Sequence, residues 1–441
     1  MSGFFQHGPN LASRDIRHAL AVRNFRWLWV GSLGSSFAMN MQIIARGWMV
    51  FELTESPIDL AWVTMSFMVP TVLFSLYGGV LADRLQKKKL IVWAQALNCA
   101  ATVFMAVIIF SNSVTFWDFI WIGFFNGAIL ALSMPARQAF VPELIPDHLV
   151  FAAMGLTTTG WNLARIVGPA FAGLLIALIA DGDKTSSFGV GVVYIVIASL
   201  YGISALTMLL IDQTGRVRHG KRSGTWTDMK DGIGYVMQNP PIFGLIVLSI
   251  IPFVFGMPLN TLLPAFNEEV MGGGPDDLGF LVSAMGLGAI VGSLMMATMG
   301  KLRSKGAWLI VTCVAWGAAT SAFGMSSTPW LVFSMIALIG WISSWNMSLN
   351  RGMLQMQVDD HMRGRIMSID MMSHGLMPLG VFPISWIAEN HGVGMALIVS
   401  GSAFIVLTLA SVLFIPSVRT TDRERAPRPA QPATANGERA A

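Results

Sequence analysis

Long apolar runs alternate with short polar connections along this chain, and the charge of those connections alternates as well. Of the 28 Lys and Arg residues, all but Arg46, Arg165 and Lys184 fall in or beside one alternating set of connections or in the two tails. They are Arg14 to Arg26, Arg84 with Lys87, Lys88 and Lys89, Arg137, Arg216 to Lys230, Lys301 with Arg303 and Lys305, Arg351 with Arg363 and Arg365, and Arg419 onward. The opposite set carries carboxylates: Glu52, Glu55, Asp59, Asp118, Asp181, Asp183, Glu268, Glu269, Asp276, Asp277 and Glu389. A chain threaded repeatedly through a bilayer, with one face held in the cytosol, produces this pattern. Lipid offers no partner for backbone N–H and C=O groups, so such runs must be helices.

A helix needs roughly 20 residues to cross the hydrocarbon layer. Runs of that size occur at 27–51, 60–82, 90–110, 117–136, 149–180, 188–211, 242–266, 278–300, 307–325, 330–350, 366–388 and 393–415. Ser111-Asn-Ser113 and Ser326-Ser-Thr-Pro329 divide uncharged stretches too long for one crossing. The expected fold is all-α: a polytopic membrane protein with twelve transmembrane helices in two six-helix halves. The expected organisation is a cytosolic tail at 1–23, a first half at 24–211, a cytosolic linker at 212–240, a second half at 241–416 and a disordered cytosolic tail at 417–441. Within the linker, Trp226, Met229, Ile233 and Val236 recur at helical spacing, as in a helix lying among headgroups. Arg137 through Asp147-His148, after span four, is echoed by Arg351 through Asp360-His361 after span ten, which points to an internal duplication.

With 54% hydrophobic and 12% charged residues, the chain has too little polar surface for an ordinary soluble domain. Its net charge of +4 sits in short clusters beside apolar spans, where anionic headgroups are the nearer partner, so nucleic acid is excluded. Cys99 and Cys313 lie in separate apolar runs with no disulfide or metal spacing. No nucleophile with a base, metal cluster or phosphate-binding loop stands out, so neither an enzyme nor a cofactor is expected.

Three charges interrupt the spans: Arg46, Arg165 and Asp370. Placing an Arg at mid-bilayer costs roughly 2.5–3.5 kcal/mol, which calls for a water-filled path or a structural tie. Asp370 and His374 lie four apart on span eleven and share a helical face. They are the candidates for proton coupling, with an ion pair at the mouth involving the nearby Arg365 the competing reading. In span five, Gly160, Gly168, Pro169 and Gly173 strip side chains from one face, which suits close helix packing and a bend.

The connection Gly79-Val-Leu-Ala-Asp83-Arg84-Leu-Gln86-Lys87-Lys88 resembles the loop signature of the major facilitator superfamily, with Gln86 where the family has glycine. Gly79, Asp83, Arg84, Lys87 and Lys88 match, and the resemblance implies that they govern the conformational cycle. Trp48-Met-Val-Phe-Glu-Leu-Thr54-Glu-Ser56-Pro57, Pro135-Ala-Arg137-Gln138-Ala-Phe-Val-Pro142-Glu143, Asn162-Leu-Ala-Arg165-Ile-Val-Gly168-Pro169 and Arg363-Gly-Arg365 resemble the bacterial branch of enterobactin exporters and macrolide efflux proteins. The span-five glycines and Pro169 are similar to the antiporter motif of drug exporters. In the architecture this implies, spans one, four, seven and ten line a central cavity. Asn40, Gln42, Arg46, Asn126, Phe255, Asn260, Trp345 and Asn346 are then the candidate lining groups, joined by Arg165 on the substrate path.

The resemblance implies a secondary active transporter in the bacterial inner membrane, multi-pass with both termini cytosolic and functional as a monomer. It would export a small amphiphilic organic molecule, drug-like or siderophore-like, by proton antiport and alternating access. Its partners would be that substrate, membrane lipid and protons. A nutrient importer of the same fold and a non-transporting membrane receptor are the alternatives.

Overall fold

The computed structural model describes residues 16–179, 187–215, 225–298, 304–359, 362, 366, 369–370 and 372–419. The long helices are α1 (Arg23–Thr54), α2 (Pro57–Arg84), α3 (Lys87–Phe110), α4 (Phe116–Leu144), α5 (Val150–Ile179) and α6 (Ser187–Leu209). They continue with α7 (Pro240–Glu269), α8 (Pro275–Thr298), α9 (Lys305–Gly324), α10 (Pro329–Gln357), α11 (Pro378–His391) and α12 (Val393–Phe414). There is no strand among the described residues. Among the described residues, ten helical stretches are long and apolar enough to cross a membrane. Of the other two, α1 has 32 residues but carries the buried polar side chains Ser32, Ser35, Ser36, Asn40 and Gln42, and α11 is described as a 14-residue helix. A separate helix, Thr225–Gln238, fills the linker, and Tyr235 Oη on it donates to Asp359 Oδ2 beyond α10 at 2.9 Å. Residues 1–15 and 420–441 of the expected tails lie outside the described residues.

The helix boundaries follow local chemistry. Ser56 caps α2, accepting the Asp59 N–H at 3.3 Å, and Pro57 takes the first helical position, where no N–H is needed. Thr115 and Asp118 form a capping box on α4, with the Thr115 N–H donating to Asp118 Oδ2 at 2.8 Å. Both punctuated stretches are connections: α3 ends at Phe110 and α9 at Gly324. The largest departures fall at three helix ends. The fourth and tenth runs, expected to stop at Ala136 and Asn350 before a charge, continue as α4 to Leu144 and α10 to Gln357, and the eleventh, expected from 366, is described as a helix from Pro378. Arg137 and Arg351 therefore sit inside helices and not in connections.

The two halves repeat one packing scheme. In the first, α2 packs on α4 and α3 on α6; in the second, α8 packs on α10 and α9 on α12. Lipid gives no hydrophobic drive for helix association, so backbones must approach closely. A Cβ on Gly78 would strike the Ala131 carbonyl, and one on Gly127 the Phe67 carbonyl; on Gly288 and Gly340 it would strike Ala337 and Met285. Equivalent helix pairs thus meet through glycine in both halves. The halves touch where α5 packs on α8 and where α2 packs on α11. In the middle of α7, Pro252–Gly256 forms a turn of π-helix, with the Met257 N–H donating five residues back to Pro252 O at 3.1 Å.

Candidate functional site

The helices alternate in direction, so each end of the bundle collects one set of connections. At the acidic end the halves are sealed. Glu389 of α11 accepts the Ser56 hydroxyl at 2.8 Å and the Ile58 N–H at 3.3 Å, gripping the start of α2. Trp62 meets the Phe382 ring edge-on at 4.6 Å. Ser283 Oγ of α8 donates to the Ile166 carbonyl of α5 at 2.5 Å, and a Cβ on Gly279 would lie 2.6 Å from the Pro169 carbonyl.

On the other side of this seal, the basic-end half of the bundle holds a cavity of about 480 Å³. Its wall comes from the early turns of α1, α3 and α5, the late turns of α4 and α6, and Arg351 of α10. Trp29, Trp161 and Tyr201 supply flat surfaces, and Ser32, Ser35, Gln95, Asn98, Thr157 and Thr158 supply hydrogen-bonding groups. Two arginines reach it. Arg137 Nη1 donates to Ser35 Oγ at 2.6 Å. Arg351 Nε stands 3.9 Å from Asp370 Oδ2, whose other oxygen accepts Ser249 Oγ at 2.6 Å. Asp370 is 2% exposed, so this carboxylate ties α7 and α10 to the start of the eleventh span from behind the cavity wall.

The sequence-predicted residues divide among several roles. Arg165 is exposed and has no carboxylate within 4 Å among the described residues. It follows Thr158 and Trp161 at i+7 and i+4 and so continues the cavity-facing stripe of α5 toward the seal. Arg46 lies 5.6 Å from the centre of the Phe67 ring, deeper than the cavity, and within electrostatic reach of Tyr194 and Tyr201. Gln42 Nε2, Tyr194 Oη and Asn126 Oδ1 are buried with no hydrogen-bond partner among the described residues. Asn40 is buried with its amide on the Ser36 carbonyl at 2.8 Å, facing Gly168 of α5.

In the second half, the expected lining groups make contacts within that half. Asn346 donates to Thr312 Oγ1 at 2.9 Å and tethers α10 to α9. Trp345 stacks on Trp308 with centroids 5.7 Å apart, Phe255 offers its carbonyl to Ser400 Oγ at 2.6 Å, and the exposed Asn260 faces Met257 Sδ at 3.2 Å. The segment expected to place Asp370 and His374 on one helical face turns into a 3₁₀ turn over Ser373–Leu376. The side chain of His374, and the whole of Arg365, lie outside the described residues.

The motif residues sit at the basic end. Arg84 closes α2, Lys87 opens α3, and Gln86 between them has φ −64°, a value any residue adopts, so its replacement of glycine leaves the turn intact. Lys87 is buried against Glu143 of α4 at 3.0 Å. Lys88 Nζ donates to the carbonyls of Leu209 and Ile211 at 3.1 and 2.6 Å, a cation at the C-terminus of α6. The side chains of Gly79's neighbour Val80 and of Asp83 are outside the described residues, as is further detail at Gly79 itself. In α5, Gly160 faces Leu33 and Trp29 of α1, Gly168 faces Asn40, and Gly173 meets the Pro275 carbonyl of α8, with Pro169 beside Gly279. Sequence reasoning missed the cavity residues Arg137, Arg351, Trp29 and Gln95; the repeat around the two arginines was the signal that marked them.

Residues 18–436 match the profile of a family described as transmembrane secretion effectors. The staphyloferrin A transporter of Staphylococcus aureus is 23% identical over 86% of this chain and 91% of its own. Macrolide efflux protein A of Streptococcus pyogenes is 22% identical, covering 90% of this chain and 97% of its own. A solved structure of the nucleoside transporter NupG superposes with a TM-score of 0.72 at 14% identity, covering 88% of this chain and 99% of that one.

Proposed function

Since the chain belongs to the transmembrane secretion effector family of major facilitator transporters, we propose that it exports a small amphiphilic organic molecule from the cytosol by alternating access, driven by protons moving inward. The observation that carries this reading is the asymmetry of the bundle: the halves are sealed at the acidic end and part around a cavity at the basic end. That is one of the two states such a cycle requires, with the cavity facing the side from which an exporter loads. The basic end faces the cytosol in this reading, as does each terminus, in a bacterial inner membrane. The protein works as a monomer, because one chain supplies both halves.

The mixed wall suits an amphiphile, with indole and phenol rings for an apolar body and amides and hydroxyls to orient it. The relative with efflux in its name favours export over uptake. Energetically, a membrane potential of about 100 mV supplies roughly 2.3 kcal/mol per charge. A pH difference of one unit adds about 1.4 kcal/mol. One proton could therefore hold a gradient of a neutral solute of several hundredfold.

Everted membrane vesicles test the reading directly. Substrate should accumulate in them only while a proton gradient stands. Full transport after the gradient is collapsed would refute proton coupling, and uptake by intact cells in place of efflux would refute the direction.

A further inference from the structure

The cavity is one-sided in charge. Arg137 and Arg351 line it, and no Asp or Glu is among its described lining residues. Arg137 has a serine hydroxyl for a partner and no carboxylate within 4 Å among the described residues. Arg351 has Asp370, but at 3.9 Å and from behind the wall, so the two arginines outnumber this one carboxylate. Arg165 extends the excess toward the seal. A guanidinium in a partly dry site without a counter-charge is unfavourable, and a ligand that brings negative charge relieves it.

The two arginines come from opposite halves and hold equivalent places. They are the positions that the internal repeat pairs, each near the basic end of its helix, the fourth and the tenth. Gln95 and Asn98 are also among the lining residues, and their side-chain amides give the wall hydrogen-bonding capacity. Trp29 and Trp161 offer ring faces and edges.

Building on the export reading above, the geometry points to an organic anion as the transported compound. Its carboxylate or phenolate is taken by Arg137 and Arg351, its apolar or aromatic body lies against Trp29 and Trp161, and a hydroxyl or amide group meets the polar side chains of the wall. An anion held by both halves also removes the repulsion between two like charges that are drawn together as the basic end closes. The loaded cavity closes and the empty one stays open. Exchange of an anion for an incoming proton moves two charges in the same electrical sense, so transport is electrogenic.

Full-length protein in nanodiscs is titrated against fluorescein, an anion, and rhodamine 123, a cation on the same ring system, with dye anisotropy as the readout. Fluorescein should bind about tenfold or more tightly than rhodamine 123, and Arg137→Gln and Arg351→Gln should each weaken it about tenfold. Arg137→Lys should recover part of the loss, and gel filtration of each variant confirms that it is folded. Equal or tighter binding of rhodamine 123, no binding of fluorescein, or unchanged fluorescein binding in both Gln variants overturns the assignment. Vesicle transport separates this failure from failure of the export reading. Gradient-driven movement of rhodamine 123 without fluorescein overturns only the anion, whereas fluorescein binding with no gradient-driven movement of either dye overturns only export.

Discussion

The two ends of the bundle solve opposite problems. At the acidic end the halves meet through backbone: Gly279 against the Pro169 carbonyl, Gly173 against Pro275, Ser283 on Ile166. At the basic end they stand apart around side chains that carry charge. The closed end also gathers carboxylates, since Asp59 and Glu269 both lie within electrostatic reach of Glu389. Closing there brings negative charges together, while closing the other end brings positive charges together. On the proposed exchange, each gate would have a ligand of opposite sign, a proton at one end and an anion at the other.

The largest effect should come from wedging the seal. Gly279→Leu places a side chain where the Pro169 backbone lies, so the acidic end cannot close; transport should fall by at least about tenfold, as overpacking by 1–3 kcal/mol predicts. A cysteine at Ser56 in that variant should become reactive to a membrane-impermeant thiol reagent, and unchanged protection would break the comparison. Arg165→Gln should lower transport several-fold with the amount of inserted protein unchanged; full activity would make Arg165 a structural group.

At the latch, Glu389→Ala removes the acceptor for Ser56 and Ile58 and should loosen the seal by about 1–3 kcal/mol. Glu389→Gln keeps an acceptor, so the seal should hold. Transport rates of the two variants would separate the lost hydrogen bonds from the lost charge. The smallest effect is expected from Asp370→Asn, which leaves Ser249 an acceptor but frees Arg351 of its counter-charge. Fluorescein binding should tighten by about threefold, consistent with loss of a long, weak pair whose guanidinium is half-exposed, worth under about 1 kcal/mol; weaker binding would mean that Asp370 orients Arg351 instead of competing for it.

Much of the fold was legible because lipid enforces it. Apolar run length, the serine and proline breaks and the charge of the connections located most helix ends to within a few residues, the exceptions being the basic ends of α4, α10 and α11. The same reasoning lost the cavity, since a rule that ends a span at its first charge cuts α4 at Ala136 and α10 at Asn350, one residue short of the arginines that matter. Residue type alone decides little: an amide such as Asn346 serves as well to bind a neighbouring helix as to face a solute, and the azimuth of its helix sets which contacts it makes. The Glu389 latch joins positions 333 apart in sequence, a separation that no local pattern reports.

The π-turn in α7 has a consequence for motion. Its carbonyls are shared out unevenly, with Phe255 O engaged by Ser400 of α12 and the Pro252 carbonyl taken five residues on. A rod whose ladder is already interrupted pivots there with little further loss. In the equivalent place of the first half, α1 runs unbroken from Arg23 to Thr54. The halves therefore share a plan but not a stiffness: one is the anvil, and the other carries the elbow.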